Sequence, residues 1–202
     1  MDTEVRRQLV HLSGILFIIL AQLVGATVSV YLFIVAATLF AYSLVVRGEQ
    51  KRMSMLARLE MRLRSVVSRF ERKDIKWPFS GAIWFFFSCG LAFLLFPLNI
   101  ASAACLMLVV GDGLSTLVGT RFGRHRILGH KSLEGTAACF LGALSSMVFI
   151  SPIAAVVGSA FAALAELVPD LPPLARWKRK GLLDDNLLIP IFAGAVLVLA
   201  GL

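Results

Sequence analysis

Asp112, Glu134, Glu166, Asp184 and Asp185 all lie within or directly beside long apolar runs of this 202-residue chain. An ionisable side chain in an apolar setting is expensive, so each such position is a functional hypothesis until a partner explains it. Asp112 sits between Gly111 and Gly113, roughly two helical turns inside its run. Glu134 opens the next run, Glu166 closes another, and Asp184, Asp185 and Asn186 precede the last. Between Asp112 and Glu134 lie Arg121, Arg124, Arg126 and Lys131, interleaved with Gly119, Gly123 and Gly129. Those glycines permit close approach of backbone to a ligand. Ser132 is placed to cap the helix that begins at Leu133, whose first N–H groups then face an anion. Asp112 and Glu134 would repel that anion unless a divalent cation bridged them, so the set predicts a metal-bound polyphosphate. The plainer alternative is a basic loop lying on lipid headgroups. A Walker loop is excluded, because Lys131-Ser132 lacks the upstream glycine spacing.

The elements that must hold these groups are read from composition. Hydrophobic residues make up 58% of the chain and charged residues only 16%, with a mean hydropathy of +0.85. That is too apolar for a water-soluble fold. Seven apolar runs appear, at about Leu9–Val24, Val28–Val46, Phe79–Phe96, Asn99–Val118, Leu133–Ile150, Pro152–Val168 and Leu187–Leu202. The expectation is an all-α, polytopic membrane helix bundle with about seven transmembrane helices, forming one domain over 1–202. Continuous rather than alternating apolarity excludes a β-barrel. Arg6 and Arg7 before the first run imitate a signal peptide. A second run following after a very short turn favours its retention.

Net charge is +8. Because the basic residues fall between apolar runs, they point to anionic lipid rather than nucleic acid. Every one of the 20 Lys and Arg residues lies in the N-terminal tail or in alternate links. The positive-inside rule then predicts a cytoplasmic N-terminus, a cytoplasm-facing site and, with seven spans, an outward C-terminus. The membrane would be the cell membrane, or that of the endoplasmic reticulum in a eukaryotic cell. The link at 47–77 spaces Leu56, Leu59, Leu63, Val66, Val67 and Phe70 as one helical face among many arginines. It reads as an amphipathic helix lying on headgroups, the alternative being a solvated helix packed on the bundle. Cys89, Cys105 and Cys139 form no metal spacing and read as small packing residues. No internal repeat is evident, and a homo-oligomer stays open.

The stretch from Gly111-Asp112 through Lys131-Ser132-x-Glu134-Gly135-Thr136 resembles the signature of the polyprenol kinase family. Dolichol kinases, phytol kinases and CTP-dependent diacylglycerol kinases belong to it. Arg6-Arg7-x-x-Val10-His11, Glu166 and Asp185-Asn186-Leu-Leu-Ile-Pro190 add to the resemblance. Gly113 stands where such proteins often carry Ala or Ser, and the basic insert Arg176–Lys180 is longer than in the pattern. The resemblance implies transfer of the γ-phosphate of CTP to a membrane lipid alcohol of polyprenol, dolichol or phytol type. In that reading Asp112 and Glu134 hold Mg²⁺, while Lys131 and Arg121 neutralise phosphate charge. Gly123, Gly129, Ser132, Gly135 and Thr136 belong to the phosphate-binding stretch, and Asp185 with Asn186 closes the site. The base is Asp112, Glu166 or Asp185, and His11 faces the cleft or is simply interfacial.

Rival readings differ in chemistry. A CDP-alcohol phosphotransferase needs further aspartates along the helix after Asp112-Gly113, and none follows. A lipid cytidylyltransferase would release pyrophosphate. A transporter would favour midplane charges and inverted repeats, and ranks last.

Overall fold

A computed structural model describes residues 11–12, 14–48 and 79–202. The chain is mostly helical. The first helical run comprises α1 (Gly14–Val24), one 3-10 turn (Gly25–Thr27) and α2 (Val28–Gly48). Gly25 takes a positive φ of 67°, a conformation open to glycine, and breaks the run there. Then follow α3 (Ser80–Leu95) and a long central run. That run begins as α4 (Leu98–Leu106), widens into a π-helical segment (Met107–Asp112) and continues as α5 (Gly113–Phe122). A two-stranded antiparallel hairpin, β1 (Arg126–Leu128) and β2 (Lys131–Ser132), leads into α6 (Leu133–Ala143). After a 3-10 turn at Leu144–Val148 come α7 (Pro152–Leu167), a 3-10 turn at Val168–Asp170, the short α8 (Ala175–Arg179) and α9 (Asp185–Leu199).

Most boundaries follow from local chemistry. Ser132 takes an extended conformation and accepts the Gly135 N–H at 3.2 Å, which starts α6 as the sequence predicts. Ser151 caps α7, with Pro152 supplying the preset φ of a first helical turn. Asp184 accepts the Asn186 N–H at 3.0 Å and so starts α9. Pro97 opens α4.

The seven-span expectation is not met. Among the described residues, three helical runs are long and apolar enough to cross a membrane: Gly14–Leu44, Leu98–Phe122 and Pro152–Asp170. The first two predicted spans run together, separated only by the turn at Gly25. The apolar helices Ser80–Leu95, Leu133–Val148 and Asp185–Leu199 have 10–17 residues, short of the roughly 20 that a straight crossing requires. With the odd span count gone, the argument for an outward C-terminus goes too. The predicted interfacial helix at 47–77 lies outside the described residues except for its first two positions, which end α2. So does the Arg6-Arg7 element.

The centre of the bundle is the run through α4 and the π segment. Ala101, Ala103, Ala104, Met107, Leu108 and Val109 are fully buried there. Around it, α9 packs on α7, α3 and α4, α6 packs on α5 and α7, and α2 packs on α3. Small residues let α6 reach the π segment: a methyl at Gly142 would come within 2.9 Å of the Val110 carbonyl oxygen. The three cysteines are free and buried, as packing residues should be. Large apolar side chains lie exposed on the perimeter, among them Leu16, Leu23, Val148, Ile153 and Leu199. An apolar outer surface of this extent is what a lipid environment leaves uncovered.

Candidate active site

The π segment ends at Asp112, so the helix widens by about one residue per turn just before this buried aspartate. Such segments recur at functional sites, because they re-aim a side chain without ending the helix. Asp112 is 6% exposed and, among the described residues, forms no side-chain hydrogen bond or ion pair. Its charge is felt with those of Lys131, Glu166, Asp184 and Asp185.

Lys131 stands at the middle of that group. Its side chain, carried on β2, places Nζ 2.7 Å from Glu166 Oε1 on α7 and 3.0 Å from Asp185 Oδ2 at the start of α9. Burial pulls the ammonium pKa down, but Asp185, Glu166 and Asp112 outweigh it and hold Lys131 well above the ordinary lysine value. It is therefore charged at any physiological pH. Ser115, one turn beyond Asp112, donates its hydroxyl to the same Glu166 Oε1. Glu166 itself is fully buried, and its Oε2 has no hydrogen-bond partner among the described residues.

A second lysine closes the outer side. Lys178 on α8 binds Asp170 Oδ2 at 2.6 Å and lies 3.8 Å from Asp185 Oδ2. Asp184 accepts the Asn186 side-chain N–H at 2.7 Å, and burial, then the Asp185 charge, push its pKa up to about 7. Asn186 also donates to the Gly81 carbonyl at 3.4 Å, while Ser88 donates to the Asn186 carbonyl at 2.7 Å. With Trp84 Nε1 bonded to the Gly181 carbonyl at 2.9 Å, these contacts tie the start of α9 and its preceding loop to α3.

The structure thus brings together Asp112, Lys131, Glu166, Asp185 and Asn186 from separate parts of the sequence. It does not bring Glu134 to Asp112. Glu134 turns back to the loop, 2.7 Å from His125 Nδ1, and accepts the His125 backbone N–H at 3.2 Å. The expected Asp112–Glu134 magnesium pair therefore does not fit, since the second carboxylate is engaged elsewhere. Among the described residues no three His, Cys, Asp or Glu side chains are placed to hold a metal ion.

The remaining predicted positions divide in the same way. Gly135 presses against the Ser115 carbonyl and Gly119, and a methyl at Gly123 would overlap the Gly119 carbonyl and Ser132. Both serve the close crossing of α5 and α6. Gly129, at φ 51°, makes the hairpin turn. Arg121 lies exposed in the last turn of α5, outside the cluster. Thr136 Oγ1 is buried without a hydrogen-bond partner among the described residues, and His11 packs edge-on against Phe85 at 5.0 Å. The sequence reading missed Ser115 and Lys178. Ser115 had a signal, its helical spacing of three from Asp112.

Protein-family models, curated proteins and solved structures offer no match to this chain.

Proposed function

We propose that this chain is a membrane-embedded phosphotransferase of polyprenol kinase type. It would move the γ-phosphate of a nucleoside triphosphate, CTP, to a lipid alcohol at the cytoplasmic rim of the bilayer. The observation that carries this reading is the joining of Lys131 to both Glu166 and Asp185. Three of the elements in the family-like pattern, 35 and 54 residues apart, meet at one ammonium. Three runs fit to cross a membrane support the location.

The distribution of hydrogen bonds favours one base. Glu166 already accepts from Lys131 and Ser115, and Asp185 from Lys131. A carboxylate oxygen engaged in this way is not open to a substrate hydroxyl. Asp112 accepts no such bond among the described residues and keeps a trace of exposure, whereas Glu166 is sealed. In the proposed step the alcohol donates its O–H to Asp112. The alcohol oxygen forms a bond to the γ-phosphorus, and the bond from that phosphorus to the β–γ bridging oxygen breaks. CDP leaves, and the proton stays on Asp112. Lys131 and Lys178 offset the charge gathering on the phosphoryl oxygens, the kind of contribution that dominates phosphoryl transfer. The predicted partners are thus the alcohol, the nucleotide and the surrounding anionic lipid.

The test is purified protein with γ-labelled CTP and a panel of lipid alcohols. Labelled lipid monophosphate with CDP is the expected outcome. Release of pyrophosphate would point instead to a cytidylyltransferase. Solute flux in liposomes without turnover would point to a transporter.

A further inference from the structure

Among the described residues, Asp112, Glu166, Asp170, Asp184 and Asp185 face two ammoniums, Lys131 and Lys178. A bare polyphosphate approaching that rim meets an excess of its own charge. A bare divalent cation meets a different obstacle. The space between Glu166 Oε1 and Asp185 Oδ2 is already taken by Lys131 Nζ, at 2.7 and 3.0 Å. These are charge-assisted hydrogen-bond distances. Evicting Lys131 would leave a side chain only 16% exposed without its counter-charges, a loss that breaking a buried pair makes severe.

We infer, resting on the nucleotide-dependent reading above, that Lys131 is the built-in cation of the free protein, and that a divalent ion enters only together with nucleotide phosphates. Bound together, the two ligands solve each other's problem. Phosphate oxygens give Lys131 new acceptors, and the metal replaces the ammonium beside Glu166 and Asp185. Two carboxylates with water and phosphate oxygens are a common magnesium ligand set. Glu166 Oε2, fully buried and unpartnered among the described residues, is a second sign that this carboxylate awaits a cation. A buried acceptor left unmatched is destabilising.

The experiment uses the full chain in detergent with Mn²⁺ as the probe, free Mn²⁺ being read by electron paramagnetic resonance. Wild type should bind no stoichiometric Mn²⁺ alone, and one Mn²⁺ per chain when a β,γ-methylene CTP analogue is present. Lys131→Met removes the ammonium and should bind Mn²⁺ without nucleotide, at least tenfold tighter than wild type does. Lys131→Arg keeps the charge and should not. Stoichiometric Mn²⁺ on wild type without nucleotide would overturn the inference, as would a folded Lys131→Met protein that gains none. Should Lys131→Met fail to fold, the wild-type titration alone decides. Gain of Mn²⁺ by Lys131→Met, with no nucleotide-dependent binding in wild type, would support the placeholder role of Lys131 and sink the nucleotide reading.

Discussion

The helical runs Gly14–Leu44 and Leu98–Phe122 both satisfy the length and apolarity of a membrane crossing, yet they are used in opposite ways. Gly14–Leu44 is the more apolar, but only 28% of its most apolar stretch is buried in the protein. Leu98–Phe122 is less apolar and 72% buried. In water the most hydrophobic helix belongs in the core. Lipid reverses that order, because hydrocarbon tails satisfy Leu and Ile side chains as well as a protein interior does. What drives a helix to the centre of such a bundle is small residues and polar work to do. The central run has both, in Ala101, Ala103, Ala104 and Asp112. The peripheral run reaches the central one through a partly buried polar contact, Gln22 Nε2 donating to Ser102 Oγ at 2.7 Å.

The largest effect that would break this contrast concerns Asp112. Asp112→Asn keeps the shape but cannot take a proton, so turnover should fall by about 10²–10⁴-fold, the range for losing a general base. Melting in detergent should hold or rise, because an amide is cheaper to bury than a carboxylate. Normal turnover would remove Asp112 from the chemistry. A collapse in melting with surviving turnover would recast it as a fold-supporting charge.

How much of this was legible beforehand depends on the kind of information required. The helices Ser80–Leu95, Pro152–Leu167 and Asp185–Leu199 end within a few residues of the apolar runs that announce them, since desolvation is written in residue type. The fusion of the first two runs was not, because only the backbone of Gly25–Thr27 decides whether a short turn separates two elements. The π segment was equally hidden: a shifted hydrogen-bond register has no composition. The need for a cation beside the basic loop suggested that Asp112 and Glu134 meet. Charge balance does not fix direction, and the direction in which Glu134 points is set by a local bond to His125, nine residues back. Lys131, Glu166 and Asp185, which the family-like pattern groups, meet through the Lys131 ammonium, whereas Lys178 lay concealed in a basic insert that reads as surface charge.

A middle-sized effect sharpens the contrast from the side of packing. Leu108 is fully buried in the π segment, about one turn before Asp112. Leu108→Ala should destabilise by about 2–5 kcal/mol, the sum of lost burial and the cavity left behind. Denaturant unfolding in mixed micelles reads this directly. A change below about 1 kcal/mol would mean that neighbours collapse into the space and that the central run is not tightly packed.

The smallest effect belongs to the same chemical change made on the peripheral run. Leu23 is 79% exposed near the end of α1, with little protein against it. In water, truncating such a residue is mild because little burial is lost on folding. In a bilayer the reason is different but the sign is the same. Lipid tails or detergent chains cover the side chain in both the folded state and the helical unfolded state, so the transfer term nearly cancels. Leu23→Ala should therefore shift stability by less than about 0.5 kcal/mol, the ordinary range for surface changes. The measurement is the same micellar unfolding, made beside Leu108→Ala under identical conditions. A loss at Leu23 as large as that at Leu108 would show that α1 is covered by protein, either residues outside those described or a second copy of the chain. Cross-linking at position 23 through an introduced cysteine would then separate these two, since only a second copy gives a covalent dimer.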